Sequence, residues 1–306
     1  MAPRRRAGLL AAALMLVLTA ACSSPAAQPA DPPRAHAAAT AAAPVRHVVI
    51  MSFDGLAGGA ARAAFPAALV ARAAYTWEAQ TTLPSSTLPA HTSMLTGVPT
   101  AVHGVRINPN YPTGHIRIAT VFSVVTQNGG RASALVTKPK LLYLIRPGTA
   151  GRAEHLPYPR YDMMDVAREG ARYLATVQPQ LLFLHMADPD DAGHKYGWGS
   201  GPYAQTVARV PEAVGVIIDV LTRMGRLDDS LVIVTSDHGG RGRSHGGSRP
   251  EETTIPWLAF GAVEPGPIGV RVMTYDTAAT AIAALGMPVP RSWQGKPVVQ
   301  TVEKVR

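Results

Sequence analysis

Six side chains with oxygen or imidazole-nitrogen donors have types and spacings that suit divalent metal ions: Asp54, Asp190, His194, Asp237, His238 and His245. Asp190 and His194 are four residues apart, so one helical turn or a compact loop can direct both at one ion. Carboxylates packed together repel each other and need cations nearby. A mixed Asp/His set without thiolate suits zinc first, with manganese or another divalent ion as an alternative. Six donors are more than one tetrahedral ion uses and are right for a pair of ions.

The candidate nucleophile is Thr87, in the segment 82–92. Pro89 is typical of an early helix position, which predicts that Thr87 is the helix N-cap. A hydroxyl at that place meets free backbone N–H groups that can hold a phosphate oxygen. A Thr hydroxyl bound to a metal ionises more readily and can attack an electrophilic phosphorus. Ser86 as the nucleophile, or a purely structural cap at Thr87, is the alternative.

Short apolar runs alternate with helical patterns along the chain. Strands are predicted at 48–51, 132–136, 181–185, 231–235 and 255–260, and helices near 59–74, 163–177, 203–224 and 276–285. This alternation predicts an α/β domain with a mostly parallel sheet, in which ligands bind at the carboxyl ends of the strands. Asp54, the segment 188–191 and Asp237 each follow a predicted strand. The sequence therefore predicts one shared, strongly negative site.

Five ordered pieces of sequence carry a family resemblance: Ser52-Phe53-Asp54-Gly55, Thr87-Leu88-Pro89-Ala90-His91, Leu95-Thr96-Gly97 with His103-Gly104, Asp190-Asp191-Ala192-Gly193-His194, and Ser236-Asp237-His238-Gly239. Through them the chain resembles the alkaline phosphatase superfamily, and within it the type I phosphodiesterase/nucleotide pyrophosphatase family, from about residue 46 to 300. The resemblance implies an alkaline-phosphatase-like three-layer sandwich, with helices on both faces of the central sheet. It also implies metal-dependent hydrolysis of phosphoric esters at a two-metal site, through a phosphothreonine intermediate.

The resemblance also assigns roles to individual residues. It implies one metal, zinc first, on Asp54, Thr87, Asp237 and His238, and a second on Asp190, His194 and His245. His245 is the only histidine after His238, and it precedes Gly246-Gly247 as the corresponding ligand does in the family. Asn108 is in the position of an Asn that binds the phosphoryl oxygen, with Asn110 as a substitute. His91 and His103 are interpreted as packing or hydrogen-bonding residues near the site.

Several features depart from the family pattern. Leu88-Pro89-Ala90 replaces the usual Phe-Pro-Asn after the nucleophile, and only six residues separate His238 from His245 where animal members have a long insertion. Nucleotide specificity is therefore in doubt, more than the chemistry is. Lys138 and Lys140 resemble a lysine pair that binds anionic substrate groups in phosphonoacetate hydrolases. They could favour monoesters or carboxylated substrates, or they could be solvated surface residues.

Three rival functions follow from the same residues. A phosphomonoesterase or a phosphonoacetate-type hydrolase would use the same core on a small phosphate ester or phosphonate. A sulfatase of the Cys type is nearly excluded, because the one cysteine, Cys22, lies in the N-terminal region. A non-catalytic surface lipoprotein is disfavoured, since all candidate ligands and the nucleophile are present.

The N-terminal residues indicate export. Arg4, Arg5 and Arg6 precede the apolar stretch 7–21, which is too short to span a bilayer comfortably. Its end, Leu18-Thr19-Ala20-Ala21-Cys22, resembles a bacterial lipoprotein signal whose Cys is lipidated, although Thr19 stands where an aliphatic residue is preferred. Ordinary cleavage and a retained anchor are the alternatives.

These features divide the chain into a signal peptide (1–22), an Ala/Pro-rich linker (23–44) and an alkaline-phosphatase-like catalytic domain (45–306). The expected location is outside the cytoplasm, on the outer face of the cell membrane through the lipid, or in the periplasm or medium.

The basic balance of the chain does not require a nucleic-acid partner. Lys plus Arg exceed Asp plus Glu by 29 to 20, which gives a net charge of +9. The three arginines of the signal account for part of this excess, because 9 − 3 leaves +6. Metal ions at the acidic site would add positive charge that suits an anionic substrate.

Overall fold

An eight-stranded sheet forms the centre of the protein in the computed structural model, which describes residues 44–302. The strands are β1 (His47–Phe53), β2 (Ala74–Gln80), β3 (Ala132–Val136), β4 (Arg152–His155), β5 (Leu181–Met186), β6 (Ser230–Thr235), β7 (Thr254–Gly261) and β8 (Gly266–Pro267). Their spatial order is β4-β3-β5-β1-β6-β7-β2-β8. Among these strands only β7 runs against the others, because it pairs with β6 and β2 in antiparallel fashion.

The five predicted strands are confirmed as β1, β3, β5, β6 and β7. All seven residues of β1 are buried. Val48 and Ile50 pack into an apolar core on one face of the sheet, and Val49 and Met51 pack into a second core on the other face. Burial on both faces explains why these strands are continuous apolar runs rather than alternating ones.

Eleven helices surround the sheet within the described residues: α1 (Gly58–Ala64), α2 (Ala67–Val70), α3 (Thr87–Thr96), α4 (Thr100–His103), α5 (Val121–Gln127), α6 (Met163–Val177), α7 (Asp188–Tyr196), α8 (Gly201–Ala208), α9 (Val210–Arg223), α10 (Pro250–Thr253) and α11 (Asp276–Ala284). Helices α3, α5 and α11 pack on the Ile50 face, and α1, α6, α8 and α9 pack on the Met51 face. The predicted class, a three-layer α/β sandwich with a mostly parallel sheet, is confirmed.

Two helix predictions were wrong in extent. The region near 59–74 holds two short helices and the start of β2, because Pro66 cannot continue α1 and instead stands at the N-cap of α2. The region 203–224 is divided into α8 and α9 at Arg209, with Pro211 in the first turn of α9. Strands β2, β4 and β8 were not predicted, because they are short or only half buried and depend on pairing with distant strands.

The predicted export signal, Cys22 and the linker 23–44 up to residue 43 lie outside the described residues. Within residues 44–302, none of the helices combines the length and the apolar character that crossing a bilayer requires.

The site residues follow three adjacent parallel strands. β1 lies between β5 and β6, with Ser52 opposite His185 on one side and opposite Thr235 on the other. Asp54 directly follows β1, helix α7 with Asp190 follows β5, and Asp237 follows β6. Because parallel strands end at the same edge of the sheet, this topology gathers the acidic side chains in one place.

Gly97 ends helix α3, whose first residue is Thr87, and we expect Gly97→Ala to lower the free energy of unfolding by about 3 kcal/mol. Gly97 has a φ of 66°, in the left-handed region, and a Cβ there would lie 2.5 Å from the Trp293 ring. Gly104→Ala is the matched control, since Gly104 has a φ of 74° but no atom near the added methyl group. Urea denaturation should give a loss of only about 1 kcal/mol for the control. Equal losses would contradict the Trp293 contact as the cause.

Candidate active site

A cavity of about 460 Å³ opens at the carboxyl ends of β1, β5 and β6. It is lined by Thr87, Asn108, Asn110, Tyr111, Lys138, Pro139, Lys140, Asp190, His194 and His245. Asp54, Asp237 and His238 adjoin it and are fully buried. The structure thus brings the candidate metal ligands, Thr87, both asparagines and both lysines around one cavity.

Three carboxylates at this cavity keep oxygens without hydrogen-bond partners. Asp54 Oδ1, Asp190 Oδ1 and Asp237 Oδ2 are buried and unpartnered within residues 44–302. A buried carboxylate oxygen without a donor costs free energy unless a cation binds it. These oxygens are therefore candidate metal ligands on physical grounds, independently of any family.

His238 has the orientation of a metal ligand. Its Nδ1 lies 2.8 Å from the carbonyl oxygen of Gly239, an atom that only accepts, so Nδ1 carries the proton and Nε2 presents a lone pair. That Nε2 is buried and unpartnered, 3.4 Å from Asp54 Oδ1 and 3.2 Å from Asp237 Oδ2. A lone pair facing two carboxylate oxygens is unfavourable unless a positive ion lies among them.

His194 and His245 repeat this orientation. Each Nδ1 is 3.0 Å from a backbone carbonyl, of Arg243 and Ser85 respectively. Their Nε2 atoms therefore present lone pairs toward Asp190 Oδ1, at 3.4 and 3.6 Å. A ring nitrogen that donates to a carbonyl while the other faces the site is the usual arrangement of metal-binding histidines.

Two groups of donors have the mutual distances that a metal ion needs. Asp190, His194 and His245 form one, and Asp54, Asp190 and His238 form the other, with the ligand atoms of each group within 4.8 Å of one another. Asp190 is common to both groups. Carboxylate and imidazole donors without thiolate fit zinc or a similar divalent ion. The residues present therefore fit divalent ions, and the second group contains Asp190 where the resemblance implies Asp237.

The electrostatics of the cluster favour additional positive charge. Burial alone would raise the pKa of the Asp54 carboxyl, but the Lys138 ammonium and the His185 hydrogen bond hold that pKa well below its usual range. Burial and the charge of Asp54 raise the pKa of Asp237 well above its usual range. Burial and the neighbouring His238 lower the pKa of His245 to about 4, which keeps its imidazole in the neutral, metal-binding form. The cluster thus resists a second full negative charge unless a further cation is bound.

Thr87 is the first residue of α3 rather than its N-cap, so the predicted N-cap position was wrong by one residue. Ser86 is the N-cap, with extended backbone and no side-chain hydrogen bond to the helix. The start of the helix was predicted from Pro89. Proline fits several positions of the first turn, so it does not determine which residue is the N-cap. Thr87 Oγ1 lines the cavity and lies 3.4 Å from Lys138 Nζ.

Asn108 is positioned by two donors. Its Oδ1 accepts from the Leu88 backbone N–H at 3.1 Å and from Lys140 Nζ at 3.1 Å. Because both partners only donate, the amide orientation is determined, and the Nδ2 hydrogens are left for another acceptor. Asn108 lines the cavity beside Thr87, so this amide can donate to an oxygen bound there.

Lys138 and Lys140 lie at the cavity and not on the solvated surface, which was the alternative interpretation. Lys138 Nζ is 2.7 Å from Asp54 Oδ2 and 2.6 Å from Asp190 Oδ2. Burial would lower the pKa of Lys138, but these carboxylates raise it. Burial and the neighbouring Lys138 lower the pKa of Lys140. Lys138 therefore neutralises the carboxylates where the ions would do so, whereas Lys140 is paired with Asn108.

Replacing Lys138 tests this balance, and we expect Lys138→Met to destabilise the metal-free protein by about 3 kcal/mol, because it leaves two buried carboxylates without their cation. In the metal-loaded protein the loss should be below about 1 kcal/mol, since the ions then neutralise the same oxygens. Thermal denaturation with and without a chelator measures the difference. Lys140→Met is the matched control, because Lys140 contacts an amide and should respond alike in both conditions. A loss for Lys138→Met that is independent of metal would contradict the interpretation.

His185, on β5, is a site residue that sequence reasoning missed. Its Nε2 lies 2.9 Å from Asp54 Oδ2, a carboxylate that only accepts, so this nitrogen donates. Its Nδ1 then accepts from the Thr137 hydroxyl at 2.9 Å. His185 therefore orients Asp54. The only signal in the sequence was a polar residue within an apolar strand.

His91 links Thr87 to the sheet through hydrogen bonds, which is the kind of role expected for it from the sequence. Its Nδ1 donates to the Thr87 carbonyl at 2.8 Å, and its Nε2 accepts from the Ser52 hydroxyl at 2.8 Å.

Trp198 packs edge-on against His194 and His245, with ring centroids 5.2 and 5.9 Å away. Its indole N–H donates to the Gly55 carbonyl at 2.8 Å, so the ring supports these histidines from behind.

Parts of this chain match a known protein family and several known proteins in sequence. Residues 147–245 match the family described as type I phosphodiesterase / nucleotide pyrophosphatase, and they include Asp190, His194, Asp237, His238 and His245. A segment of 119 residues, 38% of this chain, is 30% identical to GPI ethanolamine phosphate transferase 1 of Mus musculus and covers 13% of that protein. A segment of 59 residues, 19% of this chain, is 39% identical to ectonucleotide pyrophosphatase/phosphodiesterase family member 7 of Rattus norvegicus, again 13% of its length. The matches thus span about an eighth of these relatives.

Solved structures share the fold over most of the chain. Murine ectonucleotide pyrophosphatase / phosphodiesterase 5, in an inactive form in complex with AMP, superposes with a TM-score of 0.68 at 15% identity, covering 83% of this chain and all of that one. A 2-O GAG sulfatase superposes with a TM-score of 0.66 at 13% identity, covering 82% of this chain and 73% of that one.

The chain shares the fold of these solved structures, and its cluster of carboxylates and imidazoles is a candidate metal-binding site. Over residues 147–245, the family match confirms the resemblance to the type I phosphodiesterase/nucleotide pyrophosphatase family. This family and the named relatives are phosphoester-acting enzymes.

Proposed function

We propose that this protein hydrolyses phosphoric esters through a phosphothreonine intermediate formed on Thr87. The observation that carries the proposal is a cluster of acceptor atoms beside the Thr87 hydroxyl. Three imidazole Nε2 atoms present lone pairs to the site, and three carboxylate oxygens there have no hydrogen-bond partner. Buried acceptors that face one another next to a hydroxyl are the arrangement expected for metal-assisted attack by that hydroxyl.

The donors would hold two divalent ions, zinc first, in the sets that the family resemblance implies. Asp54, Thr87, Asp237 and His238 would bind one ion. Asp190, His194 and His245 would bind the other, and the Asp190 carboxylate would also lie within reach of the first ion, because its donor atom is within 4.8 Å of those of Asp54 and His238. When bound, the pair supplies Lewis acidity that lowers the pKa of the Thr87 hydroxyl and offsets negative charge on the phosphoryl group.

The chain's own residues orient the attack. His91 holds the Thr87 carbonyl and so fixes the start of α3, which positions Oγ1 at the cavity. Oγ1 would form a bond to phosphorus while the bond to the leaving oxygen breaks. The Asn108 amide would donate to a non-bridging oxygen, and Lys140 would add positive charge beside it.

Water would then cleave the phosphothreonine in a second in-line displacement. Two such displacements give net retention of configuration at phosphorus. The cavity would only weakly exclude phosphoryl acceptors larger than water, because Asn110 and Tyr111 at its rim are exposed. Hydrolysis with retention is thus the stereochemical signature of the proposal.

The substrate class is a small-molecule phosphate ester or phosphonate. The murine neighbour in complex with AMP is consistent with such a ligand. The six residues between His238 and His245 leave no room for the long insertion of animal nucleotide pyrophosphatases, so a nucleotide is not required. The lysine pair at the cavity would favour substrates with additional negative charge, such as monoesters or phosphonoacetate-type compounds.

Phosphoryl transfer to an alcohol is a second candidate. It is favoured by the matches to GPI ethanolamine phosphate transferases of several organisms. The same phosphothreonine would serve both reactions, and only the acceptor would differ.

The deciding experiment compares rates on an aryl phosphodiester, an aryl phosphomonoester and a phosphonate, with metals removed and restored, and with ethanolamine present or absent. Hydrolysis that is lost with a chelator, restored by zinc and accompanied by retention at a chiral phosphorus would support the proposal. Product formed mainly as the ethanolamine ester would assign a transferase. Unchanged activity in the metal-stripped protein would overturn the two-metal hydrolase.

We further propose that the protein is exported and attached to a membrane by a lipid on Cys22. The proposal rests on the sequence pattern of residues 4–22 alone. Intact mass of the detergent-extracted protein should show a lipidated N-terminal cysteine, and Cys22→Ser should release the protein in soluble form. An unmodified mass that retains residues 1–21 would overturn it.

A further inference from the structure

A second cavity lies at the edge of the sheet opposite the candidate active site. Its volume is about 390 Å³, and it is lined by Val45, Arg46, His47, Arg131, Gln178, Gln180, Arg226, Leu285 and Met287. β1, β3, β5 and β6 begin at this edge. Because the candidate active site lies where β1, β5 and β6 end, the length of a strand, about 20 Å, separates the two cavities.

The cavity is positively charged. Three arginines line it and none of its lining residues is acidic. Arg46 and Arg226 share a single carboxylate, Asp229, at 3.2 and 3.0 Å. Arg131 is exposed and has no ion pair within residues 44–302. Three guanidinium groups around a cavity with no acidic lining residue therefore leave an excess of positive charge there.

The shape and lining suit a phosphate ester rather than a bare ion. Gln178 and Gln180 add amide groups beside the arginines, and Val45, Leu285 and Met287 supply an apolar wall. Guanidinium groups bind phosphate oxygens in bidentate geometry, while the apolar wall can cover the carbon atoms of an ester group. A lipid headgroup, in which a phosphate is joined to a glycerol backbone, combines both features.

The position of the cavity along the chain points to a membrane. Val45, which lines it, directly follows the Ala/Pro-rich segment 23–44 that begins after Cys22. A segment of 22 residues reaches at most about 80 Å. A lipid on Cys22 would therefore hold this edge close to a membrane surface, where even weak headgroup binding is favoured by a high effective concentration.

We infer that Arg46, Arg131 and Arg226 form a docking site for the phosphate headgroups of anionic membrane lipids. The cavity edge then faces the bilayer and the candidate active site, at the other ends of the same strands, faces the aqueous side. This assigns a use to part of the basic excess of the chain that the catalytic site does not explain. The inference is independent of the proposed hydrolase activity, and it rests on the proposed lipid at Cys22 only for the nearness of a membrane.

The test uses the full chain carrying Cys22→Ser, so that no lipid attaches it. Sedimentation with vesicles of phosphatidylcholine alone, or with about one third phosphatidylglycerol, measures headgroup binding. The variant Arg46→Gln/Arg131→Gln keeps the Arg226–Asp229 ion pair and should fold. Arg62→Gln/Arg117→Gln is the matched control, because both residues are exposed and lie outside the cavity. The apolar stretch 7–21 is common to all variants and cancels in the comparison.

We expect binding to phosphatidylglycerol vesicles to fall roughly 25-fold in the cavity variant, about fivefold for each arginine, and less than about twofold in the control. Equal losses in both variants would overturn the inference in favour of diffuse charge. Equal binding to both kinds of vesicle would overturn it as well. Calorimetry with inorganic phosphate tests whether the ligand is a soluble anion instead. If the cavity variant loses phosphate binding while its vesicle binding is unchanged, the cavity is a site for a soluble anion and the inference is overturned.

Discussion

Thr87→Ala is expected to lower kcat on a phosphoric ester by roughly three orders of magnitude or more, with the fold retained. The Thr87 hydroxyl lies at the cavity wall, and Lys138 Nζ lies 3.4 Å from it. The hydrogen bond to His91 uses the Thr87 carbonyl and not its side chain, so the substitution leaves that contact in place. Steady-state kinetics together with thermal denaturation of the variant separates a lost nucleophile from a lost fold.

Two neighbouring substitutions make this result specific. Thr87→Ser keeps the hydroxyl and should retain activity within about 100-fold of the wild type. Ser86→Ala removes the alternative nucleophile, whose side chain makes no hydrogen bond to the helix, and should change kcat only a few-fold. Acid-quenched enzyme should carry phosphate on residue 87 in the wild type and not in Thr87→Ala. Full activity in Thr87→Ala, or loss of activity in Ser86→Ala alone, would transfer the role to Ser86.

Four of the candidate ligands lie where a local sequence pattern changes, whereas the role of Asn108 was implied only by the family resemblance. Asp54 and Asp237 directly follow continuous apolar runs, and such runs predict buried strands without knowledge of the fold. Asp190 and His194 share one face of a short helix through their spacing alone. The α/β class followed from the same alternation, since strands buried on both faces need helices on both sides. Local sequence was sufficient because each of these features is short in range.

The supporting residues could not be foreseen, because their roles depend on strand pairing. His185 reaches Asp54 only because β5 lies beside β1 in the register that sets Ser52 opposite His185. No local sequence pattern indicates this contact, since 131 positions separate His185 from Asp54. Strand β2 was missed for the same reason: its backbone pairs with β7, far away in the chain, and pairing overrides its local preference.

Lys138 and Lys140 have different surroundings in the structure, which their sequence positions did not indicate. From the sequence, Lys138 and Lys140 were equivalent members of one pair. In the structure one contacts two carboxylates and the other an amide. Burial and opposite charge determine this difference, and both are properties of the assembled site. The metal dependence expected for Lys138→Met, and not for Lys140→Met, follows from it.

Asp190→Asn is the substitution expected to disturb metal binding most, because Asp190 belongs to both candidate groups of ligands. Its Oδ1 faces the Nε2 atoms of His194 and His245, and its Oδ2 lies 2.6 Å from Lys138 Nζ. An amide of the same shape keeps the volume but removes the charge that holds a divalent ion. We expect metal affinity to fall at least about 100-fold and kcat by about 1,000-fold.

Metal analysis by plasma mass spectrometry after gel filtration measures the bound ions directly, without reference to activity. The wild type should retain about two ions per chain and Asp190→Asn about one or fewer. Asp191→Asn is the matched control, since its side chain is exposed and contacts Tyr158 at 3.4 Å instead of the cavity. His194→Ala should lose one ion only, because it belongs to a single group and is 46% exposed. Retention of two ions by Asp190→Asn would mean that the buried carboxylates are neutralised by Lys138 and protons instead, and the two-metal site would have to be abandoned.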